Sequence, residues 1–137
     1  MANLVRFAVS INSDLLAKFD KLIEEKSYVN RSEAIRDLIR NYIVESEWES
    51  DEETVGVVTI VYNHHIRELT DKLADIQHAY NTMINSALHV HLDSDNCLEA
   101  IVVKGKSSEI EKFAYKLIGI KGVKHGQLTK TTSGKDI

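Results

Sequence analysis

The chain has 137 residues, of which 43% are hydrophobic and 28% charged, and its formal net charge is -4. This composition predicts one ordinary globular domain or two small ones, and it excludes a disordered chain and a polycation that coats nucleic acid. No apolar run has the length of a membrane span, so we expect a cytoplasmic protein without a membrane partner. The single cysteine, Cys97, excludes an internal disulfide.

Residues 4–11 alternate between apolar and small or polar side chains, which predicts a short β-strand. The apolar face carries Val5, Phe7, Val9 and Ile11, and the other face carries Arg6, Ala8 and Ser10. Two amphipathic helices should follow, the first with an apolar stripe over 15–23 and the second over about 30–43. Asn30 followed by Glu33 resembles a capping box at the start of the second helix.

A unit of about 45 residues with one strand cannot bury enough apolar surface to be stable alone. We therefore expect an obligate dimer in which the two strands pair as a ribbon. Such a ribbon fits the DNA major groove, where Arg6 can contact guanine and Ser10 either base type. Asn30, Arg31 and Ser32 form a helix N-terminus that also suits a DNA phosphate.

The sequence pattern changes after an acidic run over 45–53. We predict a DNA-binding domain over 1–49, a linker over 50–54 and a second domain over 55–137. In the second domain we expect a strand over 54–62, a helix over 65–83, a hairpin, a helix over 108–119 and a strand over about 122–131. The fold class is therefore α+β, with a β-α-α unit followed by a ferredoxin-like, ACT-like β-α-β-β-α-β domain.

Three strong metal ligands lie within nine residues: His89, His91 and Cys97. If Asp93–Asp95 is a three-residue hairpin loop, His91 lies opposite Cys97 and His89 lies opposite Glu99 on one face. Directly opposed Cβ atoms are about 4.5–5.5 Å apart, which is close enough for imidazole and thiolate to share an ion. We expect His64 and His65, at the start of the preceding helix, to face solvent.

His78 lies about 200° around its helix from the apolar residue Ile76, so it should point away from its own sheet. Ile101 and Val103 share the face of the metal ligands, which suggests that this face is buried against another chain. Both features favour a site between subunits, with His78 from one chain and His89, His91 and Cys97 from another.

These motifs together resemble the NikR family of nickel-responsive ribbon-helix-helix regulators over nearly the whole chain. The resemblance is carried by NRSEAIRD at 30–37, by Gln77–His78, by LHVHLDSDNCLE at 88–99 and by GVKHGQL at 122–128. It implies a homotetramer that binds a palindromic operator, with one planar Ni(II) site per chain formed by His78, His89, His91 and Cys97. Gln77 and Glu99 are expected to support the ligands.

The resemblance also implies the DNA contacts of the ribbon at Arg6, Ala8 and Ser10, where similar proteins often have threonine at the position of Ala8. A pair of basic residues that contacts phosphate in relatives is Ile66 and Arg67 here. A second, oxygen-lined site for a cation such as potassium matches Glu33 and Asp37. The implied function is repression of nickel uptake genes when Ni(II) is bound.

Two other functions are compatible with parts of the sequence. A zinc site of two histidines and a cysteine with an open position could serve a hydrolytic enzyme, with Glu99 as base. Alternatively, an antitoxin-like ribbon-helix-helix protein could use its second domain to bind a protein partner. Ligand type alone does not select the metal, since imidazole and thiolate also suit zinc and copper.

Overall fold

The computed structural model describes residues 3–137, which separate into one compact unit that ends at Asn41 and another that begins at Tyr42. The helices are α1 (Ser13–Glu25), α2 (Arg31–Glu49), α3 (Leu69–Ala79) and α4 (Ser107–Ile118). The strands are β1 (Glu53–Asn63), β2 (Ile84–His91), β3 (Asn96–Lys106) and β4 (Val123–Lys130). Among these residues, no helix is both long and apolar enough to cross a membrane.

The helices of the first unit begin at asparagine caps. The Asn12 side chain accepts a hydrogen bond from the Asp14 amide at 2.8 Å, and the Asn30 side chain accepts one from the Glu33 amide at 2.9 Å. Each cap satisfies a backbone N–H group that lacks a partner in the first turn of a helix. The sequence prediction of a helix start at Asn30 is confirmed.

The expected strand over 4–11 is not formed within the described part of this single chain. Its apolar side chains are largely exposed, with Val5 at 84% and Phe7 at 67% of their full accessibility. A strand needs a neighbour to pair its backbone groups, and the prediction placed that neighbour in a second chain.

The second unit contains a four-stranded antiparallel sheet in the order β2-β3-β1-β4. With α3 between β1 and β2 and α4 between β3 and β4, this is the predicted ferredoxin-like arrangement. Alternate residues of β1 are buried, as expected for a strand that faces the core on one side. The core is formed by the inward residues of β1 and β3 together with α3 and α4 and includes Val58, Ile60, Tyr62, Leu69, Leu73, Ile101, Val103, Ile110, Phe113 and Leu117.

The prediction that Ile101 and Val103 are buried against another chain is wrong. Both residues are completely buried within the core of their own chain, which also contains Phe113 and Leu117 of α4. The error arose because strand alternation identifies a buried face but not the element that covers it.

Helix α3 is shorter than the predicted range of 65–83. Glu68 has φ 68°, in the left-handed region, so a regular helix cannot extend back through it. At the other end, the Lys104 amide donates a hydrogen bond to the Met83 carbonyl at 2.9 Å, which draws the chain toward β3. The tertiary pairing therefore shortens the helical pattern at its C-terminal end.

Candidate metal centre

The hairpin of β2 and β3 has the register predicted from its apolar alternation. His91 pairs with Cys97, and His89 pairs with Glu99. The loop is closed by Asp93, whose carboxylate accepts hydrogen bonds from the amides of Asp95 at 2.8 Å and Asn96 at 2.7 Å. These bonds, first of all the one from the Asn96 amide, lower the pKa of Asp93 to about 2. The loop therefore keeps its anionic clamp at neutral pH.

Three potential metal ligands converge within one chain at Cys97. Its Sγ atom lies 3.2 Å from Nδ1 of His64 and 3.3 Å from Nδ1 of His91. The three ligand atoms all lie within 4.8 Å of one another. This donor set, two imidazoles and one thiol, suits Ni(II), Zn(II) or Cu(II).

The expectation that His64 faces solvent is wrong, since His64 is half-buried beside Cys97. Its position follows from the pairing of β1 with β3, which aligns Tyr62 with Cys97. Just beyond the strand, the His64 amide donates a hydrogen bond to the Asp95 carbonyl at 3.1 Å. Only the strand order could have revealed this contact, because β1 and β3 are far apart in the sequence.

His65 is exposed as expected, but it also contacts the hairpin loop. Its Nε2 atom lies 3.0 Å from the Ser94 carbonyl oxygen. The turn after β1 is therefore joined to the loop by two adjacent histidines, of which only His64 reaches the thiol.

Burial raises the pKa of the Cys97 thiol above its ordinary value, and the carboxylates of Glu99 and Asp93 raise it further. Without a metal, the thiol therefore keeps its proton at neutral pH. A metal ion binds the thiolate, so binding must release that proton to solvent.

Glu99 is held by two side chains beside His89. Tyr62 donates a hydrogen bond to one carboxylate oxygen at 2.5 Å, and Gln77 donates one to the other at 3.0 Å. Nδ1 of His89 lies 3.8 Å from the nearer oxygen. A cavity of about 340 Å³ between α3 and β2 is bordered by His89, Glu99 and Gln77, so a further group can approach His89.

His78 is not brought to the other predicted ligands in this chain. It is the penultimate residue of α3 and its side chain is exposed, in agreement with its predicted orientation away from the core. A site that includes His78 together with His89, His91 and Cys97 therefore needs a second chain.

The predicted DNA-contacting residues are exposed within their own units. Arg6, Ala8 and Ser10 lie in the segment before α1, and Arg67 lies in the turn before α3. Arg31 makes two hydrogen bonds of 2.8 Å to the Asp20 carboxylate, while Asn30 caps α2 with Ser32 exposed in its first turn.

The residues of the predicted second cation site have partners in the first unit. Glu33 forms an ion pair of 2.6 Å with Arg36, and Asp37 accepts a hydrogen bond from the Tyr28 hydroxyl group. The Asp37 carboxylate raises the pKa of Tyr28 through that hydrogen bond. The single chain therefore neutralises Glu33 with a neighbouring arginine.

Two family models cover the chain. The model of the NikR C-terminal nickel-binding domain matches residues 55–131, and that of the CopG-type ribbon-helix-helix protein matches residues 5–46. The chain belongs to the NikR family. It is therefore a regulator that combines a ribbon-helix-helix domain with a nickel-binding domain, and the alternative of a hydrolytic enzyme is set aside.

Members of the NikR family from distant organisms are similar over their full length. A protein of Geobacter sulfurreducens described as a nickel-responsive regulator is 60% identical, with 100% of this chain and 99% of that protein aligned. A protein of Pyrococcus furiosus with the same description is 56% identical, with 98% of each chain aligned.

A solved structure shares the fold of part of the chain. It is an uncharacterized protein of Thermotoga maritima, with a TM-score of 0.52 and 18% sequence identity. The match covers 57% of this chain and 96% of the other.

Proposed function

We propose that this NikR-family regulator represses nickel uptake genes when Ni(II) occupies a site shared between two chains of a homotetramer. The ligands are His89, His91 and Cys97 of one chain and His78 of another, with one ion per chain. The observation that carries this proposal is the hairpin register, which places His91 opposite Cys97 and His89 one pair further along the same face.

The chemistry of these donors fits nickel in the planar arrangement that the family implies. Three imidazoles and a thiolate provide four strong ligands without a position for a reacting water molecule. Glu99, fixed by Tyr62 and Gln77, is placed to accept a hydrogen bond from His89 and to orient its ring. When bound, the ion joins the hairpin to a neighbouring α3 helix.

Self-assembly is supported by the apolar face of the sheet opposite the helices. Leu88 and Val90 of the edge strand β2 are 61% and 37% exposed in the single chain. Contact with a second copy would remove this surface from water. The same contact is the natural way to bring a neighbour's exposed His78 to the hairpin.

DNA binding is assigned to paired copies of residues 4–11, whose exposed Arg6, Ala8 and Ser10 would read base edges in the major groove. Two-fold symmetry of the paired units implies a palindromic operator. The N-terminus of α2, at Asn30–Ser32, and Arg67 would bind phosphates. Because its target is the cell's DNA, the regulator acts in the cytoplasm.

A second cation such as potassium is assigned to Glu33 and Asp37. Both carboxylates lie in the first two turns of α2 and are separated by one turn, so they repel each other unless positive charge offsets them. Arg36 does this in the single chain.

Titration of the metal-free protein with Ni(II) tests this function. Thiolate-to-metal charge-transfer absorbance and affinity for the upstream region of a nickel transporter gene should rise together and saturate at one ion per chain. Absorbance that saturates without any gain in DNA affinity would contradict a nickel-dependent repressor. The same titration with a random duplex is the control.

A further inference from the structure

The three donors that meet in a single chain differ from the four that we assign to nickel. His64, His91 and Cys97 converge, whereas His89 lies beside Glu99 and His78 is exposed elsewhere. The two sets share His91 and Cys97, so both cannot be filled at once by separate ions. The difference lies in His64, which belongs to the same chain.

The distances in this set match those of ligands that share one ion. Bond lengths of about 2.3 Å to sulfur and 2.0–2.1 Å to nitrogen place the two atoms about 3.1 Å apart at a right angle and about 3.6 Å apart at a tetrahedral angle. The observed Sγ to Nδ1 separations of 3.2 and 3.3 Å lie in this range. The rings of His64 and His91 are nearly perpendicular, at 85°, so they approach the sulfur from different directions.

The surroundings hold His64 in place without a metal. Its backbone amide is bonded to the Asp95 carbonyl, and its ring stacks at 4.0 Å on the ring of His65. The thiol is fully buried on the opposite side, while the side chain of His91 is exposed. A metal ion would thus have three protein ligands on one side and solvent on the other.

We propose that His64, His91 and Cys97 of one chain form a tetrahedral site for Zn(II), with water as the fourth ligand. Zn(II) has no geometric preference of electronic origin and accepts the donors that the single chain already supplies. Binding releases the thiol proton to solvent and leaves His78 of the neighbour unused. Zinc therefore occupies two of the nickel ligands without joining two subunits, which separates zinc binding from the DNA response.

The test compares His64→Gln with His65→Gln, which removes the adjacent imidazole from the same turn. Zinc affinity is measured by competition with a chromophoric zinc chelator, and the site geometry with Co(II), whose tetrahedral complexes give intense visible bands. We expect His64→Gln to weaken zinc binding at least about tenfold and to lose the cobalt bands. His65→Gln should retain both, and circular dichroism should show that both variants are folded.

The nickel arm of the experiment rests on the proposed function and is read separately. His64→Gln should keep the nickel charge-transfer band, while His78→Ala should weaken nickel binding and leave zinc affinity within about twofold of the wild type. Zinc affinity that is unchanged in His64→Gln, or reduced equally in His78→Ala, would overturn the single-chain site. Loss of the nickel response with an intact zinc result would instead contradict the proposed function alone.

Discussion

Tyr62 donates a hydrogen bond to Glu99, and through that carboxylate the core of the second unit is connected to His89. The tyrosine is 1% exposed, and its pKa is raised by burial and by the neighbouring Glu99 carboxylate. It therefore stays protonated and remains a donor at neutral pH. The orientation of one predicted nickel ligand thus depends on a core residue.

Tyr62→Phe removes this donor while keeping the ring. We expect the free energy of unfolding of the metal-free protein to fall by about 1–3 kcal/mol, because a carboxylate loses a charge-assisted hydrogen bond. Urea unfolding measures the change. Tyr115→Phe, on an exposed tyrosine, is the control and should have little effect. Equal stability of Tyr62→Phe and the wild type would show that the bond contributes nothing.

Glu99→Gln tests the carboxylate itself. A group that orients a ligand imidazole typically changes metal affinity by about 10–100-fold, so nickel binding should weaken by this factor. Isothermal titration with Ni(II) provides the measurement. Affinity that remains at the wild-type value would mean that His89 does not need Glu99.

Ile101→Ala tests which element covers the face that carries the metal ligands. Since Ile101 packs within its own chain, the substitution should lower the free energy of unfolding by about 2–5 kcal/mol. Leu88→Ala, on the exposed face, should instead weaken assembly, as followed by sedimentation. The opposite pattern would restore the earlier expectation that Ile101 is buried by a partner.

Asp51 provides a prediction about pH. Hydrogen bonds from the Ser108 amide at 2.9 Å and from the Ser108 side chain lower its pKa below 3.8. A lowered folded-state pKa stabilises the protein above pH 3.8, and this contribution is lost as the pH falls through the folded-state pKa. Asp51→Asn should therefore be less stable than the wild type at pH 6, with the difference shrinking toward pH 2 in thermal unfolding. A difference that does not depend on pH would contradict this role, and Asp75→Asn is the control.

The sequence was informative where one local pattern determined the geometry. Alternation around His89, His91 and Cys97 fixed the face and the register of the hairpin, and Asn30 marked the start of α2. The position of His64 depends on the pairing of β1 with β3, a long-range contact that local spacing does not encode. Likewise, the strand expected over 4–11 depends on a second chain, and periodicity could not tell that α4 covers Ile101.

Arg6→Ala tests the reading of DNA bases. Loss of a guanine contact should cost about 1–3 kcal/mol per copy on the operator, leave binding to random DNA nearly unchanged and leave nickel affinity intact. Mobility-shift titrations on both duplexes measure this. Equal losses on operator and random DNA would mean that Arg6 contacts only phosphate.

The central claim is that each nickel site contains His78 from one chain and the hairpin ligands from another. A mixture of His78→Ala and His89→Ala chains, refolded together, tests it most directly. Neither variant alone should show the nickel charge-transfer absorbance, but random mixed tetramers should regain about a quarter of the wild-type value, because one chain supplies the intact hairpin and its neighbour the intact His78. A mixture that only averages the two separate variants would contradict the shared site.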